Sequence, residues 1–113
     1  MNILVIDWRE SREDIIVENL KRRNKNGSKI ERQNFEDGIN NLSSFQTLLI
    51  EASSADERSL NFFEEVRKKF GGKIVVVMSN PLDSNYFLEK GADQVIKEPF
   101  EVEALWNAIE AVS

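Results

Sequence analysis

Short runs of apolar residues alternate along the chain with longer segments in which apolar residues recur at helical spacing. Strands are predicted at residues 3–6, 29–33, 47–50, 74–78 and 94–97. The run at 74–78 is the most strongly apolar, whereas the polar run at 29–33 suits the edge of a sheet. Helical periodicity predicts helices within residues 11–20, 35–42, 60–70, 83–90 and 102–112.

This alternation is typical of a parallel sheet that is covered by helices on both faces. Strands buried on both faces have continuous apolar runs, and right-handed crossovers through helices connect them. A chain of 113 residues is long enough for one hydrophobic core, and no repeat or linker divides it. The sequence therefore predicts a single α/β sandwich domain over residues 1–113.

The apolar run that begins at Thr47 ends in a carboxylate, Glu51. In open parallel sheets, ligands gather at the carboxyl ends of the strands, which makes Glu51 a candidate site residue. The alternative is that Glu51 only ends a strand near the protein surface. The residues that follow the neighbouring strands decide between the two interpretations.

The composition excludes several kinds of site. The chain has no cysteine and no histidine, which excludes disulfides, thiolate metal sites and imidazole chemistry. Its formal net charge of −5 argues against general nucleic-acid binding. Basic residues at 21–23, 25 and 29 fall where the first helix is predicted to end, and we interpret them as complements to the helix dipole. Apolar runs of about five residues are too short to cross a membrane, and the amino terminus lacks a signal-peptide pattern. We therefore expect a cytoplasmic protein that binds neither nucleic acid nor membranes.

Three stretches carry a family resemblance: Ile-Leu-Val-Ile-Asp at 3–7, Val-Val-Val-Met-Ser at 75–79, and Gly-Ala-Asp-Gln-Val-Ile-Lys-Glu-Pro-Phe at 91–100. With these stretches in place, the whole chain resembles the CheY-like receiver domain of response regulators in bacterial two-component signalling and phosphorelay systems. The resemblance implies a three-layer α/β/α sandwich with a flavodoxin-like, five-stranded parallel sheet of order 2-1-3-4-5. It also implies a site above strands 1, 3 and 4.

The resemblance implies a phosphoryl-transfer site that this chain matches only in part. Working receivers accept the phosphoryl group on an Asp that ends strand 3, and they hold Mg²⁺ with two acidic residues after strand 1. They also use a Ser or Thr after strand 4 and a Lys before the proline that follows strand 5. Here Asp7 matches the first acidic position and Ser79 the hydroxyl position. Trp8 replaces the second acidic residue, Glu51 replaces the acceptor Asp, and Glu98 replaces the Lys.

These departures favour a pseudo-receiver, a degenerate receiver that acts as a signalling or protein-interaction module without phosphorylation. Trp8 cannot bind a metal and Glu98 cannot offset phosphoryl charge, so we expect no catalytic residue, no enzyme activity and no cofactor. Mg²⁺ binding is expected to be weak or absent. Trp8 either closes the vacated pocket or is an incidental aromatic residue of a loop.

Three alternatives stay open. Glu51 is an atypical phosphoacceptor in the first. A separate idea, within the pseudo-receiver interpretation, is that the longer carboxylate of Glu51 imitates a phosphorylated Asp and holds the domain in one state. In the second, the carboxylates of Asp7, Glu51 and Glu98 form a divalent-cation site, because like charges at close range need a counter-ion, a proton or an outward rotation. The third is a small flavodoxin-like nucleotide-binding protein, which the absence of a glycine-rich loop after strand 1 disfavours.

The resemblance also implies an interaction face formed by the fourth helix, the fifth strand and the fifth helix. On this face we expect a protein partner, or a second copy of the chain, to contact Tyr86, Val95, Lys97 and Trp106. Trp106 has two interpretations, an exposed contact residue or a residue packed at the edge of the core.

Two backbone features and one packing feature complete the expectations. Gly91 is predicted to be the left-handed cap of the fourth helix. The resemblance implies a cis peptide bond before Pro99. Phe62 and Phe63 are adjacent on the third helix, so one of them is expected to be partly exposed.

Overall fold

The computed structural model describes residues 1–7, 15–24, 27–52, 57–78, 84–98 and 100–111. In these residues strands and helices alternate as the hydrophobic pattern predicts. The elements are β1 (Asn2–Asp7), α1 (Ile15–Arg22), β2 (Lys29–Gln33), α2 (Phe35–Asn40), a 3₁₀ turn (Leu42–Ser44), β3 (Thr47–Ala52), α3 (Glu57–Lys69), β4 (Lys73–Met78), α4 (Ser84–Glu89), β5 (Gln94–Lys97) and α5 (Val102–Glu110). None of the described helices has the length and apolar character that a membrane span requires.

The five strands form one parallel sheet in the order β2-β1-β3-β4-β5. This confirms the predicted order 2-1-3-4-5 and places the polar strand β2 at an edge. The central strand β3 is buried along its whole length, from Thr47 to Ala52. The sheet therefore has its most apolar strands at its centre, where helices cover both faces.

Successive residues of each strand contribute their side chains alternately to two separate hydrophobic clusters, one on each face of the sheet. The first cluster joins Leu4, Leu48 and Ile74 to α3, α4 and the segment after α2. The second cluster joins Val5 and Val75, together with the other strand residues on their face of the sheet, to α1 and α5. Each Leu, Ile or Val buried in this way stabilises the fold by roughly 1.5–3 kcal/mol. The three-layer α/β/α sandwich is thus confirmed.

The structure differs from the predictions at some element ends. Strand β3 continues to Ala52, so Glu51 lies inside the strand and does not end it. Leu42 lies in the 3₁₀ turn after α2, and Phe70 follows the end of α3. The expected capping pair at residues 11 and 14 and the loop at 53–56 lie outside the described residues.

The expectation that Phe62 or Phe63 would be partly exposed is wrong, because both are buried at 4% and 0% exposure. Helix α3 packs against the sheet and also contacts α4, so its apolar face is wide enough for two adjacent rings. The ring of Phe63 meets that of Phe87 on α4 edge to face, with centroids 5.7 Å apart.

Gly91 has the positive φ, +114°, that was predicted for the cap of α4. A Cβ atom at this position would lie 2.9 Å from Cδ of Arg67. Arg67 donates hydrogen bonds to the carbonyl oxygens of Gly91 at 3.1 Å, Phe70 at 2.6 Å and Gly72 at 2.7 Å. This joint connects the end of α3 to the starts of β4 and β5, at the amino edge of the sheet.

Candidate functional site

The carboxyl edge of the sheet brings together the backbone positions of three acidic residues. Asp7 of β1 pairs in register with Glu51 of β3, and Glu51 pairs with Val77 of β4. The backbone N–H of Glu98 donates to the carbonyl oxygen of Met78 at 2.9 Å, which continues the ladder between β4 and β5. Because neighbouring strands lie about 4.8 Å apart, Asp7 and Glu51 are one strand spacing apart and Glu51 and Glu98 two.

Glu51 is buried, with 6% of its surface exposed. Residues two apart on a strand share a face, so Glu51 lies on the face of Leu49, which α1 and α5 cover. The side chain of Glu is longer than that of Asp by one C–C bond, about 1.5 Å. A group carried on Glu51 would therefore sit farther from the strand than a group carried on Asp, in a position that is closed to solvent.

Glu98 is half-buried, and its neighbour Lys97 is exposed. Lys97 pairs in register with Met78, and successive strand residues point to opposite faces. The carboxyl edge thus has a carboxylate at the position where working receivers have a Lys, and the nearby ammonium group lies in solvent.

Several predicted site residues cannot be placed in the same way. Trp8, Ser79 and Pro99 lie outside the described residues, as does the side chain of Asp7, although the backbone of Asp7 is described. Among the side chains that are described, no three acidic residues form a group suited to a metal ion. The cation-site alternative includes Asp7, and it therefore stays a prediction.

Comparisons with protein-family models and with curated protein sequences find no match. Solved structures, in contrast, match the fold of almost the whole chain. The chain has the receiver fold.

Three of the matching structures illustrate this likeness. A pilus assembly-related protein from Burkholderia pseudomallei is 19% identical, with a TM-score of 0.79 over 97% of this chain and 87% of that chain. The pilus assembly protein CpaE from Caulobacter crescentus is 13% identical, with a TM-score of 0.74 over 96% and 89%. A CheY-like response regulator receiver domain protein from Methanospirillum hungatei is 22% identical, with a TM-score of 0.73 over 96% and 90%. At these identities the likeness shows the fold.

Within this receiver fold, the residues predicted for the α4–β5–α5 face divide into exposed and buried ones. Tyr86 is 53% exposed and Lys97 is exposed, whereas Val95 is half-buried against the first cluster. Trp106 is 7% exposed and belongs to the cluster under α1 and α5. The interpretation of Trp106 as an exposed contact residue is therefore wrong, and its ring packs in the core.

Leu88 is a surface residue that the sequence analysis did not single out. It lies on α4 and is 43% exposed, and the described part of the chain has only two other exposed large apolar side chains, Tyr86 and Met1. Phe87 between them is buried at 1% exposure. Because α4 is short and Phe87 faces the core, the side chains of Tyr86 and Leu88 are turned outward. The exposure of Leu88 was predictable from the sequence once Phe87 was assigned to the core.

Proposed function

We propose that this chain is a degenerate receiver domain that works as a signalling or protein-interaction module without phosphorylation and without enzyme activity. The observation that carries the proposal is Glu51, buried inside β3 where working receivers have their acceptor Asp. Glu98, directly after β5 where working receivers have a Lys, supports it.

A working receiver must offset the charge of the phosphoryl group that it holds. Such a group brings roughly −1.5 to −2 charge at neutral pH, and Mg²⁺ and a Lys normally offset it. In this chain Trp8 replaces one Mg²⁺ ligand, and Glu98 adds a negative charge where a positive one is needed. A phosphoryl group on Glu51 would therefore lack the stabilisation on which transfer depends.

The partner in this proposal is a protein that contacts the α4–β5–α5 face, and a second copy of the chain is one such partner. Tyr86 and Leu88 of α4 are two of the three exposed large apolar side chains in the described residues, and Lys97 of β5 is exposed and charged. Exposed aromatic and apolar side chains of this kind are frequent anchors of protein interfaces. Two of the compared proteins are named for pilus assembly, and by analogy we favour an assembly partner over a phosphotransfer partner.

The test is an amide NMR titration with Mg²⁺ and with Mg²⁺ plus beryllofluoride, a phosphoryl mimic. We expect no saturable shift at Glu51 or Glu98 with either addition. Shifts that need both additives would contradict the proposal and support the atypical phosphoacceptor. Shifts with Mg²⁺ alone would support a carboxylate cation site, and thermal stabilisation by a nucleotide would support a nucleotide-binding protein.

A variant that restores the family's site residues makes an absence of chemical-shift changes in this titration informative. The triple variant Trp8→Asp, Glu51→Asp, Glu98→Lys restores the family's residues at the three changed positions, and we expect it to respond to Mg²⁺ plus beryllofluoride. Its matched control carries Glu98→Gln in place of Glu98→Lys and should respond more weakly. If the triple variant folds but shows no chemical-shift changes, the three substitutions do not explain why the natural chain fails to bind Mg²⁺ plus beryllofluoride.

A further inference from the structure

Most of the described Lys and Arg residues lie at the amino edge of the sheet, where helices end and the next strands begin. Among the described Lys and Arg residues, only Arg32, Arg58 and Lys97 lie elsewhere. Cations complement the negative end of the helix dipole, and the last turns of α1 and α3 are basic. Two acids, Glu89 and Glu110, end α4 and α5 at the same edge. The amino-edge cations are Lys21, Arg22, Arg23, Lys29, Arg67, Lys68, Lys69, Lys73 and Lys90.

The end of α1 and the start of β2 form a basic corner of this edge, defined by Lys21, Arg22 and Lys29. All three side chains are exposed, and neither Lys21 nor Arg22 forms an ion pair with a described residue. Lys29 lies 3.5 Å from a carboxylate oxygen of Glu31, in a surface pair of the kind that contributes little. The positive charge of the basic corner is therefore largely uncompensated by the part of the chain that the structure describes.

The carboxyl edge has the opposite charge, because helices begin there and anions complement the positive end of the helix dipole. Glu57 is the first residue of α3, and Glu101 directly precedes α5. Both are exposed, as is Asp37 of α2, and none of the three forms an ion pair with a described residue. Arg58 and Lys97 are the exposed cations on this side of the described chain. Acidic groups thus outnumber basic ones at the edge where the candidate site also lies.

Opposite charges at the two edges make a second copy of the chain a complementary partner in one orientation. Two copies that approach at random repel each other, because each has a net charge of −5. When the amino edge of one copy meets the carboxyl edge of the next, cations lie against carboxylates instead. A long polyanion such as nucleic acid has no such preferred orientation, and its phosphates would meet the acids beyond the basic corner. The charge pattern therefore favours a second copy as the partner.

We propose that the amino edge of the sheet is a docking surface for the carboxyl edge of a second copy, so that copies of the chain associate head to tail. The basic corner of one copy lies against the acidic side chains around Glu57 and Glu101 of its neighbour. Such a contact is heterologous, because two different surfaces of the chain meet. It involves neither Tyr86 nor Leu88, and it does not rest on the loss of phosphoryl transfer.

Sedimentation velocity of the full chain at two ionic strengths tests the association. At about 0.01 M salt the Debye length is roughly 30 Å, comparable with the backbone extents of 36, 31 and 29 Å, whereas at about 0.15 M it is roughly 8 Å. We expect the weight-average mass to rise with protein concentration at the lower ionic strength and to fall to that of the monomer at the higher one. A chain that stays monomeric at the lower ionic strength up to millimolar concentration would overturn the proposal, as would association that strengthens with salt.

Two charge-reversal variants separate the effect of the basic corner from that of net charge. The first variant carries Lys21→Glu and Arg22→Glu. Its matched control carries Arg58→Glu and Lys97→Glu, which lower the net charge by the same amount outside the amino edge. The first variant should weaken association by roughly tenfold or more, since it places like charges together. The control removes cations from the carboxyl edge and should keep or strengthen association, so equal losses for the two would contradict the docking surface.

A third variant, Glu57→Lys with Glu101→Lys, tests the acidic side of the contact. Alone it should stay monomeric at low ionic strength. An equimolar mixture with the first variant should associate again, because the two reversed edges then meet. A mixture that stays monomeric would overturn the head-to-tail contact. So would a loss of self-association in Tyr86→Ser, Leu88→Ser, which would assign the contact to α4. Urea unfolding confirms that each variant is folded.

Discussion

The two edges of the sheet use charge in opposite ways. At the amino edge, cations meet carbonyl oxygens: Arg67 bonds to the ends of α3 and α4, and Lys73 bonds to the last carbonyls of α5. At the carboxyl edge, the chain places Asp7 at the end of β1, Glu51 next to the last residue of β3, and Glu98 directly after β5. In a working receiver the carboxyl edge is the one that needs cations.

For the proposed degenerate receiver, this difference separates contacts that maintain the fold from positions that would carry the chemistry. The contacts at the amino edge tie helices to strands and involve none of the candidate site residues, so they serve the fold whatever the site does. In working receivers the carboxyl edge carries the chemistry, and the resemblance places an indole, Trp8, at a metal-ligand position and a carboxylate, Glu98, at the Lys position. The comparison predicts that substitutions at the amino edge lower stability, whereas added positive charge at the carboxyl edge raises it.

The largest effect is expected for Arg67→Ala. Arg67 donates to the carbonyl oxygens of Phe70, Gly72 and Gly91, and these acceptors lose their partner together. The free energy of unfolding should fall by about 2–4 kcal/mol, because hydrogen bonds from a charged donor are the stronger class. Urea denaturation followed by circular dichroism measures the change.

The control for Arg67→Ala is the adjacent substitution Lys68→Ala. Lys68 is exposed on the same helix, and its loss should change the free energy of unfolding by about 0.5 kcal/mol or less. Equal losses for the two variants would show that the amino-edge joint is not what stabilises this end of α3.

A smaller loss is expected for Lys73→Met. The ammonium group of Lys73 donates to the carbonyl oxygens of Ala108 at 3.3 Å and Ile109 at 3.2 Å, and also to that of Ala111. A cation at a helix carboxyl end that is partly buried contributes about 1–2 kcal/mol. Thermal unfolding should show the loss for Lys73→Met and almost none for Lys97→Met, whose side chain is exposed on β5. An unchanged midpoint for Lys73→Met would contradict the role assigned to this contact.

The sequence predicted the fold better than the site, and the physical reason is periodicity. Buried strands such as 74–78 have short, continuous apolar runs, so the layers followed from the pattern, whereas the strand order followed from the resemblance. Burial of a single side chain depends instead on its neighbours in space. The sequence alone could not decide that Trp106 packs under α1, or that Phe62 and Phe63 are both covered.

The end of β3 shows the same limit at the candidate site. Hydrophobicity stops at Ile50, so the sequence placed Glu51 after the strand, but backbone pairing with β4 continues to Ala52. Backbone hydrogen bonding between strands does not depend on the polarity of the side chains. The resemblance therefore predicted that Glu51 stands at the phosphoacceptor position, but it did not predict that the Glu51 side chain is buried.

At the carboxyl edge, the expected change has the opposite sign. Glu98→Lys places a cation two strand spacings, about 10 Å, from the position of Glu51. Stability at low salt should rise by about 0.5–1 kcal/mol, with Glu98→Gln giving a smaller rise. The gain should shrink when ionic strength is raised, because screening acts at this distance. A loss of stability for both variants would show that the contacts of the Glu98 side chain outweigh any repulsion between the carboxylates at this edge.

The smallest effect concerns pH and the pair that links α3 to the end of α4. The ammonium of Lys90 lies 2.5 Å from a carboxylate oxygen of Glu64 and lowers the pKa of that carboxyl group. Because the folded state binds this proton less tightly than the unfolded chain does, the pair adds stability above the ordinary Glu pKa of about 4.3. That contribution is lost as pH falls through the lowered value. Glu64→Gln should therefore be slightly less stable than the natural chain at pH 7 and equal to it at pH 2–3, whereas the exposed Glu89→Gln should show no such convergence. A difference that persists in acid would show that packing of the Glu64 side chain, and not its charge, links the two helices.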